Sequence, residues 1–116
     1  MSYDALPNIL TVEQKIGDSI VWDFKYNELT DLTGFSIEVS AISKLDESIL
    51  FTINSNNNLE NTLITTDKFN LGEFTVIVKD TSSFTQGDYY IDVKHISADN
   101  MAKSAKSFVM RLLKRI

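Results

Sequence analysis

Asp31-Leu32-Thr33-Gly34 precedes apolar residues at every second position, namely Phe35, Ile37, Val39 and Ala41, and Gln86-Gly87-Asp88 precedes Tyr89, Ile91 and Val93 at the same spacing. Alternation with a period of two places the apolar side chains on one face of a half-buried strand. The glycine before each strand supplies backbone conformations that a residue with a Cβ rarely adopts. The two stretches therefore predict an all-β sandwich whose strands are joined by polar turns.

Further alternating segments extend this pattern along the chain, and short runs of turn-forming residues separate them at intervals of roughly ten residues. We expect strands at 8–12, 19–26, 35–43, 49–54, 61–66, 73–79 and 89–96, and a last strand that ends near Leu113. The asparagine-rich segment 54–58 is predicted to be a mobile loop. The whole chain, 1–116, is expected to form a single domain with residues 1–7 as an N-terminal arm.

The last segment is compatible with two structures. Phe108, Met110 and Leu112 alternate as in a strand, which the preceding turn at 97–100 would pair with the strand at 89–96. Met101, Ala105, Phe108, Leu112 and Ile116 also fall at helical spacing, with basic residues between them. The strand is favoured, and a C-terminal amphipathic helix is the alternative.

Composition excludes several classes of function. The chain has 116 residues, no cysteine and a formal net charge of −5. Without cysteine there is no disulfide framework, thiolate metal site or cysteine nucleophile. The acidic balance argues against a nucleic-acid partner, because phosphate binding needs clustered Lys and Arg. The basic residues that do cluster lie near the C-terminus, at Lys103, Lys106, Arg111, Lys114 and Arg115.

The chain begins Met1-Ser2-Tyr3-Asp4, without the basic and apolar regions of a secretory signal. No apolar run approaches the roughly twenty residues that a membrane-spanning helix requires. We therefore expect no signal peptide and no membrane partner, and synthesis in the cytoplasm of the cell that makes the protein.

No catalytic, metal or cofactor site is expected. His95 is the single histidine and lies in an alternating strand, which favours a structural or surface role. The acidic residues do not follow the spacing of a calcium loop, and four scattered glycines do not form a phosphate-binding loop. The sequence thus predicts a protein that is not an enzyme and needs no cofactor.

The aromatic residues support two interpretations. On a sandwich face, Trp22, Phe24 and Tyr26 would form a platform on which sugar rings stack. In the core, the same alternation would point large side chains inward, which burial preferences favour for Trp22 and Phe24. Tyr26 and Tyr90 are expected to reach the surface. A carbohydrate-binding module for host-surface glycans is therefore the alternative function, and Tyr90 would contact the glycan.

Gly87-Asp88-Tyr89-Tyr90-Ile91 has the form of a tyrosine corner. In this device a tyrosine near the start of a strand donates its hydroxyl to the preceding loop, and the residue two positions later enters the core. Tyr89 would be the corner residue, and the device favours an immunoglobulin-like antiparallel β-sandwich of seven or eight strands. The residues expected to have a structural role in this sandwich are Gly34, Gly87, Tyr89 and Trp22.

Three stretches also resemble a known family: Gly17-Asp18 before an aromatic-rich strand, Asp31-Leu32-Thr33-Gly34-Phe35, and Thr85-Gln86-Gly87-Asp88-Tyr89-Tyr90-Ile91-Asp92-Val93. They are similar to the immunoglobulin-like N-terminal domains of baseplate upper proteins in tailed phages, over residues 17–113. Members often have a glycine before the final strand and end it with Val-Thr-Arg, whereas Leu113-Lys114-Arg115 stands here.

The resemblance implies a non-enzymatic structural component of a tailed-phage virion, with a baseplate or tail location favoured over the head. The partners of this chain would be other virion proteins and further copies of itself. A glycan would be the alternative ligand. Tyr90, Arg111, Lys114 and Arg115 are candidate surface contacts for this assembly.

Overall fold

A computed structural model describes residues 11–26 and 30–114, with the side chains of 105–107 excepted. These residues form eight strands: β1 (Thr11–Lys15), β2 (Ile20–Lys25), β3 (Ser36–Ser43), β4 (Ile49–Asn54), β5 (Thr62–Ile64), β6 (Glu73–Val78), β7 (Gly87–Ile96) and β8 (Ala102–Leu113). A short 3₁₀ turn, Phe69–Leu71, precedes β6. The expected N-terminal arm and the first three residues of the expected first strand lie outside the described residues.

The strands form two sheets, with the orders β1-β8-β7-β3-β4 and β2-β6-β5. This is an all-β sandwich, in which β8, β7 and β3 lie opposite β2, β6 and β5. The prediction of antiparallel pairing holds for every described pair except one. β1 pairs with β8 in parallel, from Thr11 opposite Val109 to Lys15 opposite Leu113. β1 therefore lies in the five-stranded sheet, although β2, its successor in the chain, lies in the other.

The core lies between the inner faces of the two sheets. In β2 the burial alternates, so that Ile20, Trp22 and Phe24 are buried while Val21, Asp23 and Lys25 are exposed. The Trp22 ring packs edge-on against Phe108 of β8 at 5.1 Å between centroids. Aromatic pairs of this geometry add stabilisation beyond the area they bury. The prediction that Trp22 and Phe24 lie in the core is confirmed. The contact of Trp22 with Phe108 joins the two sheets.

The last segment is a strand, and the helical alternative is wrong. β8 covers twelve residues and pairs with β7 on one side and β1 on the other. Phe108, Met110 and Leu112 are fully buried, as the alternation predicts. β8 hydrogen-bonds to β7 and β1 at once, whereas a C-terminal helix would satisfy only its own backbone and leave the facing edges of those two strands unpaired.

The turn before β3 depends on Gly34. The Phe35 amide donates to the Leu32 carbonyl at 2.9 Å, and Gly34, the third residue of the turn, has a φ of +85°. The Asp31 side chain accepts a hydrogen bond from the Thr33 amide. A positive φ at this position is the requirement of a type II turn, which glycine meets without strain.

The described residues contain no helix that is long and apolar enough to cross a membrane.

Candidate functional site at the β3–β4 turn

The turn that joins β3 to β4 is built by its own polar side chains. The Asp46 carboxylate accepts hydrogen bonds from the Ser48 amide at 3.1 Å and the Ser48 hydroxyl at 2.7 Å. Both bonds lower the pKa of Asp46, and the bond from the Ser48 hydroxyl has the larger effect. The Ser43 amide donates to the Ser48 carbonyl and closes the hairpin. The turn therefore has a defined backbone although its side chains are exposed.

The turn also contacts the start of β7. The Lys44 amide donates to the Asp88 carbonyl at 3.0 Å. Between the turn and segment 85–89 lies an open cleft of about 580 Å³, whose lining includes Leu45, Ile49, Leu50, Thr85, Gln86 and Tyr89. The cleft lies at the end of the five-stranded sheet, away from the Gly34 turn, because β3 runs from one end to the other.

Tyr89 forms the far wall of this cleft. Its hydroxyl donates to the Thr85 carbonyl at 2.6 Å, and Ile91, two residues later, is fully buried. This is the hydrogen bond that defines a tyrosine corner. Burial, followed by the negative charge of Asp46, raises the pKa of Tyr89. Both effects keep the phenol protonated, so it remains a hydrogen-bond donor to the loop.

Two apolar side chains at the turn are exposed. Leu45 is 94% exposed and Ile49 is 66% exposed. Together with Lys44 and Tyr90 we call them the hairpin surface. An exposed leucine and isoleucine with charged neighbours resemble the apolar centre and polar rim of a protein interface.

Tyr90, which belongs to the hairpin surface, lies on the outer face of the five-stranded sheet together with Arg111. Tyr90 is 41% exposed, and the Lys44 ammonium lies 5.2 Å from its ring centroid. Arg111 forms an ion pair with Asp88 at 3.1 Å, and the hydrogen bond and charge of Asp88 raise the pKa of Arg111. Lys44 thus lies over the exposed Tyr90 ring, and the Asp88–Arg111 ion pair lies two residues earlier along β7.

The structure brings together only some of the residues expected at a site. Tyr90 and Arg111 share the outer face, and Gly87 and Tyr89 border the cleft, whereas Gly34 and Trp22 lie elsewhere. Lys114 follows β8 and is exposed, and Arg115 lies outside the described residues. Leu45 and Ile49 are absent from the sequence prediction. Their signal was an apolar residue within the polar turn 44–48 and another directly after it.

The expectation that Tyr26 reaches the surface is wrong. Tyr26 continues the inward alternation of β2 and is 2% exposed, with its ring edge-on to Phe74 at 6.0 Å between centroids. An aromatic platform of Trp22, Phe24 and Tyr26 is excluded, because all three lie in the core.

His95 is half-buried in β7, beside the rings of Tyr26 and Phe35. Its Nδ1 is buried and has no hydrogen-bond partner among the described residues. Burial, and then the positive charge of Lys103, lowers the pKa of His95. The environment favours a neutral imidazole that packs against aromatic rings.

Within residues 11–26 and 30–114, no three His, Cys, Asp or Glu side chains come close enough together to hold a metal ion. No protein-family model matches the chain, and no curated protein sequence is similar to it.

Proposed function

We propose that this chain is a non-enzymatic structural component of a tailed-phage virion that binds a neighbouring virion protein through the hairpin surface. The observation that carries the proposal is the exposure of Leu45 and Ile49 at a turn with a defined backbone. Exposed apolar side chains that adjoin one another, as these two do along one cleft, are typical of a surface that a partner covers.

The geometry supports binding by an apolar segment of the partner. Leu50 also lines the cleft beside Leu45 and Ile49, and segment 85–89 lines its other side. Lys44, Asp46 and Asp88 surround it with charges of both signs. An apolar anchor in the cleft and polar contacts around it would give the two parts of a specific interface.

The virion location is proposed from the resemblance to baseplate upper proteins, with a baseplate or tail position ahead of the head. An all-β sandwich with eight strands suits this role, since its loops and sheet edges are available to neighbours while the core remains closed.

Deletion and complementation test this proposal. The coding sequence is deleted from the genome that carries it, and the chain is supplied as wild type or as the variant Leu45→Ser/Ile49→Ser. Particles are purified and the copies of the chain in each particle are counted by mass spectrometry. We expect the wild type in the particles, and at least about a tenfold lower content of the variant.

The matched control is Leu71→Ser, which changes an exposed leucine on the 3₁₀ turn, away from the hairpin. It should enter particles as the wild type does, and both variants should keep the melting temperature of the wild type. Absence of the wild-type chain from purified particles would reject the virion role. Normal incorporation of the hairpin variant would reject the hairpin surface as the site.

Exposure of Tyr90 favours a second candidate function, glycan binding on the outer sheet face. A titration with host-surface glycans, in which amide chemical shifts report binding, tests this candidate. Saturable binding that Tyr90→Ala abolishes, in a protein that remains folded, would support this candidate against a role in assembly alone.

A further inference from the structure

Four strands lie at the edges of the two sheets, and β2 is the longest of them whose register is unbroken. β5 has only three residues, and β4 carries an irregular register where Ala41 and Ile42 pair with it. β1 has five residues in unbroken register with β8, and β2 has six in unbroken register with β6. Short strands and bulges are the usual means by which sheet edges are protected from pairing. β2 has neither.

The edge of β5 is further covered by Asn58. Its side-chain amide donates to the Ile64 carbonyl at 3.1 Å, and its side-chain oxygen accepts from the Ile64 amide at 2.8 Å. One asparagine thus makes the two hydrogen bonds that another strand would make. Among the described residues, no such cap lies on β2.

The backbone groups that β2 presents at its edge follow from its register. The Tyr26 amide donates to the Gly72 carbonyl of the segment that leads into β6. Because hydrogen bonding alternates along an antiparallel pair, Phe24 and Trp22 also bond toward β6. The amides and carbonyls of Val21, Asp23 and Lys25 therefore point away from β6, toward the open edge.

The side chains of these three residues lie on the exposed face, and two of them carry opposite charges. Asp23 is held by the Thr75 hydroxyl, which donates to its carboxylate at 2.7 Å. Lys25 forms no ion pair within the described residues. A strand that placed an acidic residue opposite Asp23 or a basic residue opposite Lys25 would be repelled from this edge. A strand with a basic residue opposite Asp23 and an acidic residue opposite Lys25 would be attracted.

We propose that β2 binds the β2 strand of a second copy, antiparallel, about a twofold axis at Phe24. In this register Asp23 lies opposite Lys25 of the other copy, and Lys25 opposite its Asp23. Both residues present their backbone groups at the edge, so each such pair also exchanges N–H···O=C hydrogen bonds. The result joins two three-stranded sheets into one.

Neighbouring registers lack this complementarity. A twofold axis at Asp23 places the two Asp23 carboxylates opposite each other, and an axis at Lys25 does the same for the ammonium groups. Like charges directly opposite each other destabilise a strand pair. A second copy of β2 therefore carries the charge pattern that complements this edge. A twofold interface is also the commonest form of self-association.

Charge reversal tests the proposal without reference to a virion. Sedimentation equilibrium from about 10 μM to about 1 mM measures dimerisation, since a strand-edge interface is small and its affinity correspondingly modest. The variants are Asp23→Lys, Lys25→Asp and the double swap, whose composition and net charge equal those of the wild type. Circular dichroism at the lowest concentration verifies that each is folded.

We expect a wild-type dimer, a dissociation constant at least about tenfold higher for each single reversal, and recovery in the double swap. Lys79→Glu, which reverses an exposed charge beyond β6, should leave the constant unchanged. A wild type that stays monomeric throughout, or a dimer that both single reversals leave intact, would overturn the proposal.

Amide exchange identifies the edge directly. In the dimer, the amides of Asp23 and Lys25 should be protected at high concentration and exchange faster on dilution. Protection that is independent of concentration and disappears when residues 1–10 are deleted would assign the edge to that segment of the same chain, and would overturn the dimer.

Discussion

Gly34 is one of the single residues on which the fold depends. The φ of +85° belongs to the left-handed region, and a Cβ built at this position has no heavy atom within 4 Å. Any cost of substitution therefore comes from the backbone and not from a clash.

Replacing Gly34 with alanine should lower the free energy of unfolding by about 1–2 kcal/mol, because an L-residue is strained at this φ. Gly34→Asn should lose less, since asparagine tolerates the left-handed region better. Urea denaturation measures both. Equal losses for the two variants would contradict the backbone explanation.

Tyr89 is the second such residue. Its hydroxyl ties β7 to the Thr85 carbonyl in the loop that precedes the strand. Tyr89→Phe should reduce the free energy of unfolding by about 1 kcal/mol, the usual net value of one hydrogen bond. Tyr90→Phe is the control and should change little, because Tyr90 is exposed. If Tyr89→Phe is as stable as the wild type, the corner contributes nothing.

At the scale of elements, β5 is too short to hold its place by pairing alone. It has three residues on one side of β6, and the Asn58 side chain completes its other edge. The asparagine-rich loop thus takes part in the sheet, and the sequence prediction of a mobile loop missed this structural role. Asn61, just before β5, uses its side chain differently: it bonds to the backbone of Asp80 and so continues the pairing with the end of β6.

Asn58→Ala should lower the free energy of unfolding by about 1–3 kcal/mol, since it leaves both backbone groups of the buried Ile64 without that partner. Asn57→Ala is the matched control one residue earlier, where the side chain is exposed, and it should be neutral. Urea denaturation again gives the comparison. Similar values for the two variants would show that water replaces the cap.

At the scale of the whole molecule, stability depends on pH in two separate ranges. The fold lowers the pKa of His95, so the unfolded chain binds a proton there more readily than the folded chain does. The pKa values of Asp31, Asp46, Asp80 and Asp99 are also lowered, in each case with a serine or threonine hydrogen bond as the first cause.

The His95 contribution should be complete above about pH 6.5 and lost as the pH falls through the lower folded-state value. The melting temperature should therefore decrease between about pH 8 and about pH 5. In His95→Phe, which keeps an aromatic ring beside Tyr26 and Phe35, the decrease should be smaller. Identical pH profiles would show that His95 does not contribute. The aspartates act below about pH 4, where their carboxylates take up protons.

Local patterns determined most of the fold. The alternation of apolar residues in β2, β3, β6 and β7 identifies strands and their buried faces, because a period of two depends on the residue itself and its neighbours. The requirement for glycine in the Asp31–Gly34 turn and the hydrogen bond of Tyr89 are likewise local, since each joins groups within about four residues of one another.

The tertiary structure decided what depends on residues distant in the chain. Parallel pairing of β1 with β8 joins segments nearly a hundred residues apart, and burial of Tyr26 requires Phe74 of another strand. The same holds for the hairpin surface, since Leu45 and Ile49 become a site only when segment 85–89 forms the second wall of the cleft. Hydrophobic periodicity specifies which face of a strand is buried, but not which strand lies beside it, because pairing depends on the packing of the whole core.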